Sequence, residues 1–239
     1  MNYAVFINFR FENDTTVMNK EKIIIVGSEG HGKVIADIIE KQGLFSIVGF
    51  VNANPQPNSF VMGYPVLGSD NELVQLRAKF PNCHFFIAIG DNSTRHKVKL
   101  KLESLFPEIG FPSIIHPSAQ IAKDVKIGQG VCIMAGVVIN SSSSIGDFCI
   151  LNTKAGIDHD NYIGDFSSLA PNATTGGDVS IGEFSAIGIS ATIKHGIKIG
   201  KHTVIGAASY INKDLPDNVV AFGIPGKIIR TRIIGEKYL

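Results

Sequence analysis

The tripeptide Asp158-His159-Asp160 is the strongest candidate for chemistry in this chain. An imidazole flanked by two carboxylates is held in one tautomer and made more basic, which is what a general base near neutral pH requires. The competing reading is an ordinary solvated polar corner, and the residues alone leave both open. A second candidate is the run Gly27-Ser28-Glu29-Gly30-His31-Gly32, whose G-x-x-G-x-G spacing departs from the dinucleotide fingerprint G-x-G-x-x-G. A glycine-rich turn that opens a helix presents free backbone N–H groups and the positive end of the helix dipole, a setting suited to phosphate. The alternative is a tight turn that needs glycine only for packing. Asn52 and the pair Asp91-Asn92 follow two other apolar runs, Ser46 to Val51 and His84 to Gly90. Both would lie along the same edge of a parallel sheet, where α/β domains bind their ligands.

His159 belongs to a segment with an uncommon period. From Ile115 to Ile211 an aliphatic residue recurs at every sixth position, with Thr175 as the one exception, and four residues after each lies a mostly small one such as Ser143, Cys149, Ala155, Ser167 or Ser185. Six is neither the helical nor the simple strand period, so the chain turns a corner about once per hexad. Three corners close an 18-residue coil whose aliphatic residues stack inside, the signature of a parallel β-helix. His195 lies 36 residues beyond His159, which is two coils, and both follow the hexad position by two. They are expected to face the same way, roughly 10 Å apart at about 4.8 Å per coil.

The first half reads differently. Lys22 to Val26 is a continuous apolar run of the kind buried on both faces of a sheet, followed by a helix over Lys33 to Glu40. Further strands are predicted at Ser46 to Val51, Val66-Leu67 and His84 to Gly90, with helices at Asp70 to Lys79 and from about Arg95 to Leu105, Asp91 to Thr94 supplying the cap. Alternating strands and helices imply a small parallel α/β domain over residues 22–108, then a β-helix over 109–220 and a tail over 221–239. Residues 1–21 form a leader without the basic start of a signal peptide, and the first 18 or so are expected to be dispensable.

Composition narrows the partners. A formal net charge of +1 with interleaved signs gives no field suited to nucleic acid or to an anionic membrane. No apolar run approaches the roughly 20 residues that span a bilayer. Three irregularly spaced cysteines, Cys83, Cys132 and Cys149, form neither a disulfide framework nor a zinc knuckle, and a reducing cytoplasm fits them best.

The glycine loop, Asn152-Thr153, Asp158-His159-Asp160 and Phe222-Gly223-Ile224-Pro225-Gly226-Lys227 together resemble the bacterial nucleotide-aminosugar N-acetyltransferases, the PglD-like and perosamine branch of the sialic acid O-acetyltransferase (NeuD) family. The likeness covers residues 22–232. It implies a Rossmann-like α/β domain followed by a left-handed β-helix, handedness coming from the resemblance and not from the spacing. It further implies a homotrimer in which the α/β domain binds a nucleotide-linked 4-amino-4,6-dideoxy sugar, UDP-linked in the favoured reading, while the β-helix binds acetyl-CoA between neighbours. On this resemblance His159 is the base, Asp160 orients it and Asn152 lines the sugar site. Gly27, Ser28, Gly30, His31, Gly32, Asn52, Asp91 and Asn92 hold the nucleotide sugar. Ser168, Gly176, Gly177, Gly188, Lys194 and Lys227 or Arg230 meet coenzyme A.

Two positions depart from the family pattern. Relatives often carry an aspartate pair at Asn52-Ala53 and a histidine at Ser168. The γ-class carbonic anhydrases share the hexapeptide pattern and bind zinc through three histidines, but here the expected third ligand is Gly200 and His202 is offset, so no metal is expected. An amine nucleophile needs no acyl-enzyme, and Cys132 and Cys149 are read as core. The alternatives carried forward are an O-acetyltransferase of sialic-acid type and a non-catalytic nucleotide-binding trimeric scaffold.

Overall fold

The computed structural model describes residues 20–238, so the leader expectation falls outside the described residues except at Lys20 and Glu21. The first part runs β1 (Glu21–Val26), α1 (Gly30–Gln42), β2 (Phe45–Val51), β3 (Phe60–Val61), β4 (Tyr64–Gly68), α2 (Leu73–Lys79), β5 (His84–Ile87) and α3 (Asn92–Leu105). Its sheet has the order β3-β4-β2-β1-β5, parallel throughout except for the short edge ribbon of β3 on β4. Central strand β1 is apolar on both faces because both are covered. Ile23 and Ile25 pack with Ile35, Ile38 and Ile39 of α1, while Ile24 and Val26 pack with Leu73 and Leu76 of α2 and Leu102 of α3.

Helix starts differ from expectation in a way that matters for the site. α1 opens at Gly30 and not at Lys33, because Glu29 is extended (φ −83°, ψ −161°) and the chain enters the helix directly behind it. Gly30, His31 and Gly32 therefore form the first helical turn. α3 opens at Asn92 and not near Arg95, because the Asp91 side chain already accepts from the Thr94 N–H at 2.8 Å, the usual N-cap geometry.

From Ile114–Ile115 to Tyr210–Ile211 the chain forms two-residue strands that end on the hexad position and stack into three parallel sheets, giving the left-handed β-helix of the hexapeptide-repeat fold. Pairing joins residues 18 apart, as in Val138 with Gly156 and Ile139 with Ile157. Third after each hexad residue from Ile127 to Ile205 is a left-handed corner, occupied by Phe148 (φ 55°), Asp160 (φ 59°) and Phe166 (φ 56°) among others. Such a conformation is costly for a bulky residue, and most corners are fastened by a backbone bond to the coil before them, Asp160 N to Ser141 O at 3.0 Å being one. The small interior residues do more than fit. Ser143, Ser167 and Ser185 donate to the corner carbonyls of Asp158, Gly182 and Gly200 at 2.7–2.8 Å, and the Cys149 thiol takes the same role toward Gly164. Burial pushes the Cys132 and Cys149 thiols up to about 12, so both are neutral core groups.

One residue ties the two parts together. Arg95 of α3 is fully buried and spends its guanidinium N–H groups on the carbonyls of Phe148, Ile89, Gly90 and Phe166 and on Asn92 Oδ1, at 2.7–3.0 Å. Alongside, Phe148, Phe166, Phe184 and His202 stack up the corner column with ring centroids 4.8–5.1 Å apart. His202 thus belongs to a different corner from His195. Ala221 to Gly223, assigned to the tail on periodicity, lie in a strand, Val219–Gly223, that pairs in parallel with Val204–Ile205 and then in a hairpin with Gly226–Thr231. Pairing outlasts the hexads here. Among the described residues no helix is long and apolar enough to cross a membrane.

Candidate active site

The candidate residues fall into two groups on different corners of the prism. The first surrounds a cleft of about 420 Å³ between the carboxyl edge of the α/β sheet and one β-helix face, lined by His31, Gly90, Asn152, Ser168, Gly188 and Tyr238. Gly27 (φ 113°) and Gly32 are required by packing, since a Cβ would stand 2.5 Å from Ala88 O and 2.3 Å from Gly27 O respectively. Gly30 faces open space. His31 is half-buried with its Nε2 enclosed, and that desolvation, with the Arg95 charge adding to it, holds its pKa down at about 4. It is a neutral imidazole whose buried Nε2 has no hydrogen-bond partner among the described residues.

Side chains beside the cleft are already engaged. Asn52 donates from Nδ2 to Ser28 Oγ and accepts the Asn54 N–H at 3.1 Å. Asp91 caps α3 through one oxygen while its other, Oδ2, is buried without a partner among the described residues. Asn92 is committed to the contact between the two parts: its Nδ2 donates to Ser185 O at 3.2 Å and its Oδ1 accepts from Arg95. Only its backbone N–H is turned to the cleft, where it meets the Tyr238 hydroxyl. Ser168, expected beside coenzyme A, reaches the same hydroxyl at 3.3 Å, so the cleft holds residues from both expected ligand sets. Tyr238 gave no sequence signal.

The second group is built on the corner between the sheet of Gly156–Ile157 and that of Tyr162–Ile163. Asp158 accepts from Asn140 Nδ2 and from the His159 N–H, both at 2.9 Å, and these bonds hold its carboxyl below the usual range. His159 Nδ1 meets Asp160 Oδ2 at 2.7 Å. That bond, with Asp158, Asp160 and Asp178 adding negative potential, raises the imidazole above its ordinary pKa against the opposing cost of desolvation. The left-handed backbone at Asp160 is what turns the next-door carboxylate back onto the ring.

Three supports of this corner were not assigned to it from the sequence. Asn161 Nδ2 donates to the carbonyls of Asp158, His159 and Gly176 at 2.8–3.0 Å and pins the corner to the coil above. Thr175, the single break in the aliphatic column, places its hydroxyl 3.3 Å from the Asp158 N–H. Gly177 leaves the space that the imidazole fills, because a Cβ there would stand 2.4 Å from His159 Cε1 and 2.5 Å from Nε2. The ring therefore leans up the stack, and its centroid is 6.3 Å from that of His195, closer than the 10 Å expected from coil spacing alone.

The remaining expected contacts are dispersed. Lys194 is exposed beside His195, and Lys227 is exposed on the final hairpin. Arg230, the alternative to Lys227 as a phosphate contact, is instead paired through two bonds with Glu236, at 3.0 and 2.7 Å. His159, Asp160, Gly176, Gly177 and Lys194 share one corner column, whereas His31, Asn152, Ser168 and Gly188 share the cleft on another.

The family model described as PglD N-terminal domain matches residues 22–102, and that described as bacterial transferase hexapeptide (six repeats) matches residues 106–141. The chain is 38% identical to a structure of a histidine-to-alanine variant of GDP-perosamine N-acetyltransferase from Caulobacter crescentus in complex with CoA and GDP-perosamine, with a TM-score of 0.82 over 87% of this chain and 96% of that one. It is 30% identical to the acetyltransferase domain of PglB from Neisseria gonorrhoeae in complex with acetyl coenzyme A, with a TM-score of 0.78 over 88% of this chain and 100% of that one. It is also 36% identical to UDP-N-acetylbacillosamine N-acetyltransferase from Bacillus subtilis over 116 residues, 48% of this chain and about half (52%) of that protein.

Proposed function

The chain belongs to the PglD-like hexapeptide-repeat family of bacterial nucleotide-aminosugar N-acetyltransferases, and we propose that it transfers the acetyl group of acetyl-CoA to the 4-amino group of a nucleotide-linked 4-amino-4,6-dideoxy sugar. The observation that carries this reading is the His159–Asp160 pair at 2.7 Å, an imidazole made more basic and placed at an exposed corner. Asp160 holds the Nδ1 proton and stabilises the imidazolium. Nε2 is left free to take a proton from the sugar amine as its lone pair attacks the thioester carbonyl. Sulfur leaves as thiolate and is protonated, so no acyl-enzyme forms, in keeping with two buried neutral cysteines.

In this reading the cleft holds the nucleotide sugar. Neutral His31 offers an unpaired Nε2 to it, the first turn of α1 offers its N–H groups to the diphosphate, and Asn152 lies at the sugar end. Base and cleft lie on different corners of one chain, and the reaction requires them together. A trimer resolves this by setting the His159 corner of one protomer against the cleft of the next, with acetyl-CoA between them. The exposed apolar Val138, Tyr162 and Tyr210 on the outer faces suit such burial. The three free buried cysteines fit a reducing compartment.

The test is turnover by the purified chain with acetyl-CoA and a panel of UDP-, GDP- and dTDP-linked 4-amino sugars, following thiol release and the mass of the sugar product. Acetylation at nitrogen of a UDP-linked sugar is the expected result. A preference for GDP-linked sugar would keep the reaction and correct the nucleotide. Acetylation of sialic acid hydroxyls alone would establish the O-transfer reading, and binding without turnover the scaffold.

A further inference from the structure

Acetylation of an amine that arrives as an ammonium does not balance without a proton outlet. The nitrogen of R–NH3+ must shed one proton to free the lone pair that attacks, and a second as the amide forms; when the C–S bond breaks the electron pair goes to sulfur, which keeps one of the two. One proton per turnover remains, and neither the amide nor HS–CoA carries it. If His159 is the base, as proposed above, the surplus proton is left on its imidazole.

Nδ1 of His159 is committed to Asp160, so the proton arrives and departs through Nε2. That atom points up the coil stack into the gap at Gly177, where a Cβ would lie 2.5 Å away. The next imidazole in that direction is His195, two coils on, with centroids 6.3 Å apart and planes inclined by 50°. Taking about 1.2 Å from centroid to ring atom at each end, the facing edges are about 4 Å apart, beyond a direct hydrogen bond and within the reach of a single bridging water. The neighbouring acids serve poorly as carriers. Asp158 is held below its ordinary range by Asn140 and the His159 N–H, and Asp160 is occupied by Nδ1. An imidazole can accept a proton on one ring nitrogen and give one up from the other, and His195 is exposed to solvent.

We propose that His195 is the proton outlet of the site: it receives the surplus proton from His159 Nε2 through one water and releases it to solvent, resetting the base. The inference rests on the acetyl-transfer reading and on His159 as base, and adds a residue that acts through His159.

The test uses chemical rescue. His195→Ala and His195→Gln are compared with the unaltered chain in dilute buffer and in increasing imidazole at neutral pH. The expected result is that both variants keep the KM for each substrate, lose about 5- to 20-fold in kcat in dilute buffer, a modest share of what acid–base catalysis supplies, and recover as imidazole rises, while the unaltered chain is insensitive to imidazole. Placed on His159→Asn, the His195 change should add no further loss. Unchanged turnover in dilute buffer, a loss that imidazole does not restore, or a loss expressed in KM would each overturn the outlet while leaving acetyl transfer intact. Absence of turnover by the unaltered chain on every amino-sugar nucleotide would instead overturn the parent reading, and this one with it.

Discussion

Gly177→Ala separates two accounts of one glycine. Sequence reasoning places Gly176-Gly177 against coenzyme A, whereas the structure fills the space above Gly177 with the His159 ring. A methyl group there would lie 2.4 Å from Cε1, 2.5 Å from Nε2 and 3.0 Å from Nδ1, and ordinary contact begins at 3.4 Å, so the ring must retreat by about 1 Å. The ring is half exposed and free to move outward, so the fold should bear the change. Gly177 also has no left-handed φ to forbid alanine, and Gly→Ala at a compatible site typically gains about 0.4–1 kcal/mol by restricting the unfolded chain. A displacement of about 1 Å in a catalytic group costs on the order of 10²-fold.

The expected variant therefore has an unchanged or slightly higher Tm, an unchanged KM for acetyl-CoA and a kcat lower by about 10²-fold. Steady-state kinetics with both substrates varied, alongside thermal unfolding, decide the matter. A kcat near that of the unaltered chain would show that the imidazole does not work from this position. A loss confined to the KM for acetyl-CoA would return Gly177 to the cofactor.

Three further outcomes follow from the same geometry. His159→Asn should lower kcat by about 10²–10⁴-fold with little change in KM, the deficit shrinking as pH rises and more amine arrives free; Asp160→Asn should cost less and shift the acid limb of the kcat profile to lower pH, because the bond that raises the imidazole pKa is weakened. Arg95→Met should destabilise the fold by about 3–5 kcal/mol, as expected when a buried charge-assisted network loses its centre, and Arg95→Lys should not rescue it, since one ammonium cannot serve carbonyls spread around a planar fork; chemical denaturation measures both. His31 has a folded pKa of about 4 against about 6.5 for an unperturbed histidine, so the unfolded chain binds a proton that the folded chain refuses between those values. Its contribution is complete above the unfolded pKa and lost as pH falls toward the folded one, about 3 kcal/mol in all, and His31→Gln should flatten that part of the stability–pH curve.

What the sequence could and could not reveal divides by the range of the interaction. The hexad register was legible because each aliphatic residue answers to a local rule, repeated every coil, and His159 was legible because its partners are its chain neighbours. Corners were not, since the left-handed backbone at Phe148, Asp160 and Phe166 obeys position in the coil and not residue type. Arg95 reads as one more basic residue on a helix, and nothing near it announces the carbonyls of Phe148 and Phe166 that bury it, 53 and 71 residues away. Tyr238 meets Asn92 across 146 residues. Thr175 and Gly177 lie between these extremes. Each breaks a visible pattern, one a column of aliphatic residues and the other the run of corner side chains, and both breaks fall on the coil directly above His159. A lapse in a regular repeat beside a polar tripeptide was thus a readable signal, once the 18-residue coil is used to ask which residues stack on one another rather than which are adjacent in the chain.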